Sequence, residues 1–177
     1  MNRTKKLTFS ALIAAICTLV LAGSALLPKV TLSLAAFAGL FPAVVVIVCG
    51  YGWAIGASAV AGALALLLLP EKTAGVWFLF FFGHYPIWKQ LIESWQAKEE
   101  MPLWGWILKV LGFSACMALL YWLFGSLFAA AIPFAFAEYT FGPYILLIAL
   151  AICFVMYDMA FSILIGWFRV KVLPKLK

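Results

Sequence analysis

Residues 144–168 read YILLIALAICFVMYDMAFSILIGWF, 25 residues with a single charge, Asp158. At about 1.5 Å of rise per residue, such a run is long enough to cross the roughly 30 Å hydrocarbon core of a bilayer as one helix. A soluble helix of this length would carry a charged face along one side. Here the lone carboxylate stands in apolar surroundings, where it needs a partner, water or a proton.

The same reading extends outward over the chain. Apolar stretches lie at about 7–27, 32–50, 51–69, 73–92, 103–128 and 143–168. The predicted fold is all-α: a polytopic integral membrane protein, a six-transmembrane-helix bundle forming one domain over residues 1–177. Pro28 and Lys29 close the first span, Cys49-Gly50-Tyr51-Gly52 separates the second from the third, and Pro70-Glu71-Lys72 closes the third. Gly83, His84 and Pro86 interrupt the fourth. That span is expected either to kink or to shorten and run into an interfacial segment.

Composition excludes several classes of function. Apolar residues make up 68% of the chain and charged residues 10%, against about 25% charge in a soluble domain. The net charge of +6 does not indicate nucleic acid, because the basic residues sit at the ends of apolar segments rather than on one face. Cys17, Cys49, Cys116 and Cys153 stand singly inside apolar segments, so no metal site or cofactor is expected. Neither a phosphate-cradling glycine loop nor an orientable catalytic triad is present, and no enzyme activity is predicted. The opening MNRTKKLTF has the basic character of a signal peptide, but without a convincing cleavage site it reads as the start of a retained first helix.

Charge also predicts orientation. With the amino terminus in the cytoplasm, ten basic residues (Arg3, Lys5, Lys6, Lys89, Lys98, Lys109, Arg169, Lys171, Lys175 and Lys177) fall inside and two, Lys29 and Lys72, fall outside. This positive-inside bias places both termini in the cytoplasm of a multi-pass protein of the cell (plasma) membrane. Trp88, Trp95, Trp104, Trp106 and Trp167 cluster at the same boundary as an aromatic belt. In the connection from 89 to 102, Leu91, Ile92 and Trp95 are expected to form one apolar face of an interfacial helix.

Two small-residue faces predict close helix packing. Ser10, Ala14, Thr18 and Ala22 recur every four residues on the first helix, with Ala11 and Ala15 beside them. Gly52, Gly56 and Ala63, with Ala59 adjacent, form the second on the third helix. Such faces let backbones approach within the chain or across to a partner.

The polar groups supply the candidate binding residues. Asp158, with Ser162 one turn later, is placed to pair with Lys109 from the antiparallel fifth helix, to couple ions or protons, or to touch a ligand. His84 sits between Gly83 and Pro86, where a bend can turn it inward. The apolar connection 129–143 ends near Glu138 and Tyr139, and is expected to act as an outer lid or an interfacial anchor. Glu71 is the other outward carboxylate.

The opening Lys5-Lys6-Leu7-Thr8-Phe9-Ser10-Ala11-Leu12-Ile13-Ala14-Ala15 of a six-span chain of this length resembles the substrate-binding membrane subunit of energy-coupling-factor (ECF) vitamin transporters. The resemblance implies a subunit that takes a small molecule from the outer face and passes it inward with a transmembrane coupling subunit and two cytoplasmic ATPases. It implies that small residues of the first helix, Ala11 and Ala15 foremost, with Ala14 and Ala22, dock on the coupling subunit. It names no substrate. In size and span number the chain is also comparable to the small membrane subunit of the bacterial rod-shape elongation machinery, which implies a non-transporting assembly factor.

Overall fold

The computed structural model describes residues 2–27, 30–99, 102–131 and 142–171. Among these residues the chain is helical, with no strand. Five helices among the described residues are long and apolar enough to cross a membrane: Arg3–Leu26, Thr31–Cys49, Tyr51–Leu68, Leu103–Leu120 and Ala151–Phe168. The chain is therefore a helical membrane protein, as the unbroken apolar runs require. Its residues group into two compact units, Met1–Lys109 and Val110–Lys177.

In the first unit, α1 (Arg3–Leu26) packs against α2 (Thr31–Ala38), α3 (Leu40–Cys49) and α4 (Tyr51–Leu68). A short α5 (Thr73–Trp77) leads through a π turn at Phe78–Phe82 into α6 (Tyr85–Glu99), which packs on α3. The fourth predicted segment, which is not among those five helices, is interrupted at the residues that break its sequence. The Gly83 N–H reaches back five residues to the Phe78 carbonyl at 2.7 Å, the bond that defines a π turn.

The second predicted span, present as Thr31–Cys49, carries an interruption at Gly39, a departure from the single run expected over 32–50. Pro42 has no N–H to give the Ala38 carbonyl four residues earlier, and α2 ends there before α3 restarts beyond Gly39. The Cys17 thiol of α1 donates to that carbonyl instead, at 3.6 Å. At the other end of α3, Gly50 (φ 99°) makes the turn into α4 within one residue, a conformation that a side chain would oppose.

Small residues form the core as expected, but on a different face of α4. Ala54, Ala57, Ser58, Ala61, Gly62 and Ala65 are buried, whereas Gly52, Gly56, Ala59 and Ala63 are exposed. Residues on α4 are small on nearly every side, so spacing alone could not choose between faces. Gly62 fixes the choice: a Cβ there would lie 2.6 Å from Leu79 Cδ1, so its bare backbone admits the Leu79 side chain. On α1, Ser10 and Ala14 are buried, Ala22 is half-buried, and Ala11 and Ala15 are exposed.

A helix α7 (Pro102–Ala131) contains the boundary between the units, and α8 (Gly142–Lys171) belongs to the second. Within that unit Phe113 and Phe154 stack at 4.4 Å between ring centroids.

Candidate functional site

The two broken helices of the first unit meet at their breaks. Gly39, between α2 and α3, lies so close to the π turn that a Cβ there would sit 2.7 Å from the Phe82 carbonyl oxygen. Pro86 lacks the N–H that would bond this same carbonyl four residues before it. One residue on, the Gly83 carbonyl is taken by the Ser58 hydroxyl of α4, which donates at 2.8 Å in buried surroundings. Irregular backbone inside a membrane protein is tolerated where protein groups satisfy it or where it lines a cavity. Here Cys17 and Ser58, both from intact neighbouring helices, satisfy two of the exposed carbonyls.

His84 occupies this crossing. Its carbonyl accepts from the Ile87 and Trp88 N–H groups at 3.0 and 3.2 Å, which starts α6. Its side chain is half-buried, and Nδ1 is buried with no hydrogen-bond partner among the described residues. A buried imidazole nitrogen without a partner loses about 1–3 kcal/mol of hydration, so this atom is available to a ligand or a bound water. Replacing Ser58 with Ala should strand the Gly83 carbonyl and cost about 1 kcal/mol. The cost is to be measured by SDS unfolding in mixed micelles, and an unchanged midpoint would count against the capping role.

A second polar cluster lies further along α6. Lys89, with none of its surface exposed, has its ammonium 2.6 Å from Glu93 Oε1. Lys109, 6% exposed, approaches the same oxygen at 2.9 Å and stands 5.2 Å from the Trp106 ring centroid. Charge patterning along the chain places Lys89 at a solvated boundary; burial of Ile92 beside it shows that this face of α6 points inward. Trp88, Leu91 and Trp95 are the exposed apolar residues instead. The expected face of 91, 92 and 95 is corrected accordingly: Ile92 leaves it and Trp88 joins it. The spacing of Lys89 and Glu93, one helical turn apart, was the signal for this cluster.

Asp158, 2% exposed, lies in the second unit, where the Ser162 hydroxyl donates to its backbone carbonyl at 2.9 Å. Glu71 is half-buried in the link between α4 and α5. Glu138 and Tyr139 lie outside the described residues, with residues 132–141 of the predicted lid; its ends, 129–131 and 142–143, are helical, in α7 and α8. Pro28, Lys29 and the basic tail beyond Lys171 also lie outside. Among the described residues no cluster of three or more His, Cys, Asp or Glu could hold a metal.

Fold and site together define a helical membrane protein whose first unit carries two interrupted helices crossing at a histidine. No family model, curated protein or solved structure matches the chain.

Proposed function

We propose that this chain is a membrane-embedded small-molecule-capture subunit of the ECF transporter type, working with a separate coupling subunit and two ATPases. The observation that carries the reading is the crossing of two interrupted helices at His84, whose buried Nδ1 has no partner among the described residues. Interrupted helices near the middle of a membrane protein are a recurrent way to present backbone and side-chain polar groups to a transported ligand. His84 is the central binding residue of the proposal, with Glu71, Asp158, Glu138 and Tyr139 as further candidates. The basic residues, ten to two, put both termini on the cytoplasmic side of the plasma membrane.

Exposure of Ala11 and Ala15 supports the docking half of the reading. Ala14 is spent on packing within the chain, so the contact narrows to the two exposed alanines. An alternative role as a membrane assembly factor is favoured by the exposed Trp88, Leu91 and Trp95 on α6, a face suited to lipid or to a protein partner.

Native mass spectrometry of gently extracted protein tests both halves. Wild type should carry a small molecule that H84A loses. A11W or A15W should lose the co-purifying membrane subunit while still retaining that molecule. Equal ligand occupancy in wild type and H84A, or an unchanged partner in both tryptophan variants, would sink the corresponding half.

A further inference from the structure

At the end of the first unit that holds the amino terminus, Arg3 and Lys6 of α1 and Gly52 and Trp53 of α4 line a cavity of about 650 Å³ open to the surface. Its charge is uncompensated by the helices that build it. Residues 1–70 contain no Asp or Glu, so α1 to α4 bring no carboxylate to these cations. The Arg3 side chain makes no hydrogen bond or ion pair among the described residues. Lys6 gives one bond, to the Cys49 carbonyl at 3.3 Å, which satisfies the end of α3 and leaves two of its three donors.

Helix polarity adds to the excess. Arg3 and Lys6 stand in the first turn of α1, where the helix end is itself positive, and neither α1 nor α4 has an acidic residue in its first turn. The N-cap of α4, Gly50, offers no side-chain acceptor to the N–H groups beyond it. The negative end of α3 at Cys49 lies here too, capped by Lys6; two cations and two positive helix ends still outweigh it, and around an open cavity they fit an anion. The planar fork of an arginine, with a lysine beside it, suits the several oxygens of a phosphate. The volume leaves room for the group that carries it, and Trp53 supplies the amphipathic ring common at headgroup depth.

We propose that this cavity binds a phosphate group borne on a larger molecule, either the headgroup of an anionic lipid or a soluble phosphate ester. The site does not depend on the transport reading, since it shares no residue with the crossing at His84.

The test uses purified, delipidated full-length protein in a neutral detergent. Thermal unfolding is followed while phosphatidylglycerol, phosphatidylcholine, glycerol 1-phosphate or inorganic phosphate is added, and native mass spectra count the bound phosphates. Phosphatidylglycerol should raise the wild-type midpoint saturably, and phosphatidylcholine should do so far less. A saturable response to glycerol 1-phosphate as well identifies a soluble ester as a sufficient ligand; a response to the lipid alone identifies the headgroup.

R3Q should weaken binding about tenfold. Gly52→Leu should abolish it by filling the cavity, because a Cβ at Gly52 meets nothing within 4 Å and the substitution need not disturb the fold. Lys5, in the same turn but outside the lining, is the control for diffuse attraction: K5Q should bind as wild type. The proposal is overturned if K5Q weakens binding as much as R3Q, if the Gly52→Leu variant binds normally, or if no phosphate-bearing probe gives a saturable shift.

Discussion

Glu93→Gln is expected to destabilise the protein by about 2–3 kcal/mol in SDS unfolding titrations, the largest effect predicted for any single polar group here. Its carboxylate oxygen lies 2.6 Å from the Lys89 ammonium and 2.9 Å from that of Lys109, so one substitution removes a counter-charge that two buried cations share. Breaking a fully buried pair costs about 3–5 kcal/mol. The expected value is smaller because the Glu93 side chain is 40% exposed and water screens part of the interaction.

An asymmetry sharpens the test. Lys109→Met leaves the Lys89–Glu93 pair in place and should cost less than half as much. Helix geometry does not hold the pair by itself, because a lysine preceding a glutamate by four residues is the weaker orientation on a helix. Tertiary burial does, so added salt should change the midpoint little. Equal costs for the two variants would show that Glu93 is not the shared partner.

Gly39→Ala should cost about 2–3 kcal/mol, although the change adds one methyl group. Gly39 has ordinary helical dihedrals (φ −60°), so the penalty is purely steric. The new Cβ would meet the Phe82 carbonyl oxygen at 2.7 Å and the Phe82 Cβ at 3.2 Å, and backbone atoms have nowhere to retreat in a packed crossing. Two other glycines calibrate the result. Gly62→Ala meets Leu79 Cδ1 at 2.6 Å, which can rotate away, and Leu79 Cβ at 3.1 Å, which must give by a small backbone shift, and should cost about 1–2 kcal/mol. Gly52→Ala meets open space within a helix and should be neutral or stabilising by up to about 1 kcal/mol. If the Gly39 variant unfolds no more easily than the Gly52 variant, the two breaks do not touch.

Half of the candidate site is legible in the sequence. Gly83-His84-Tyr85-Pro86 announces a bend, because proline removes a donor and glycine weakens the helix around it. Its counterpart is present as Gly39-Leu40-Phe41-Pro42, yet the surrounding apolar run from 32 to 50 reads as an ordinary span. Nothing in one segment states which other segment it will cross. The pairing of Phe82 with Gly39, and the service of Cys17 and Ser58 to the freed carbonyls, exist only in three dimensions.

Hydropathy is summed along the chain, residue by residue, so the order of amino acids is enough to specify a helical membrane protein and to locate its apolar runs. Burial among equally apolar or equally small faces is a different matter, since lipid and protein interior attract such faces almost alike. It took the packed fold to turn Ala54, Ala57, Ala61 and Ala65 inward while Gly52 and Gly56 stay out, and to bring Lys89 inside. Those outcomes turn on how closely two particular backbones fit, a property of the pair that neither segment carries alone.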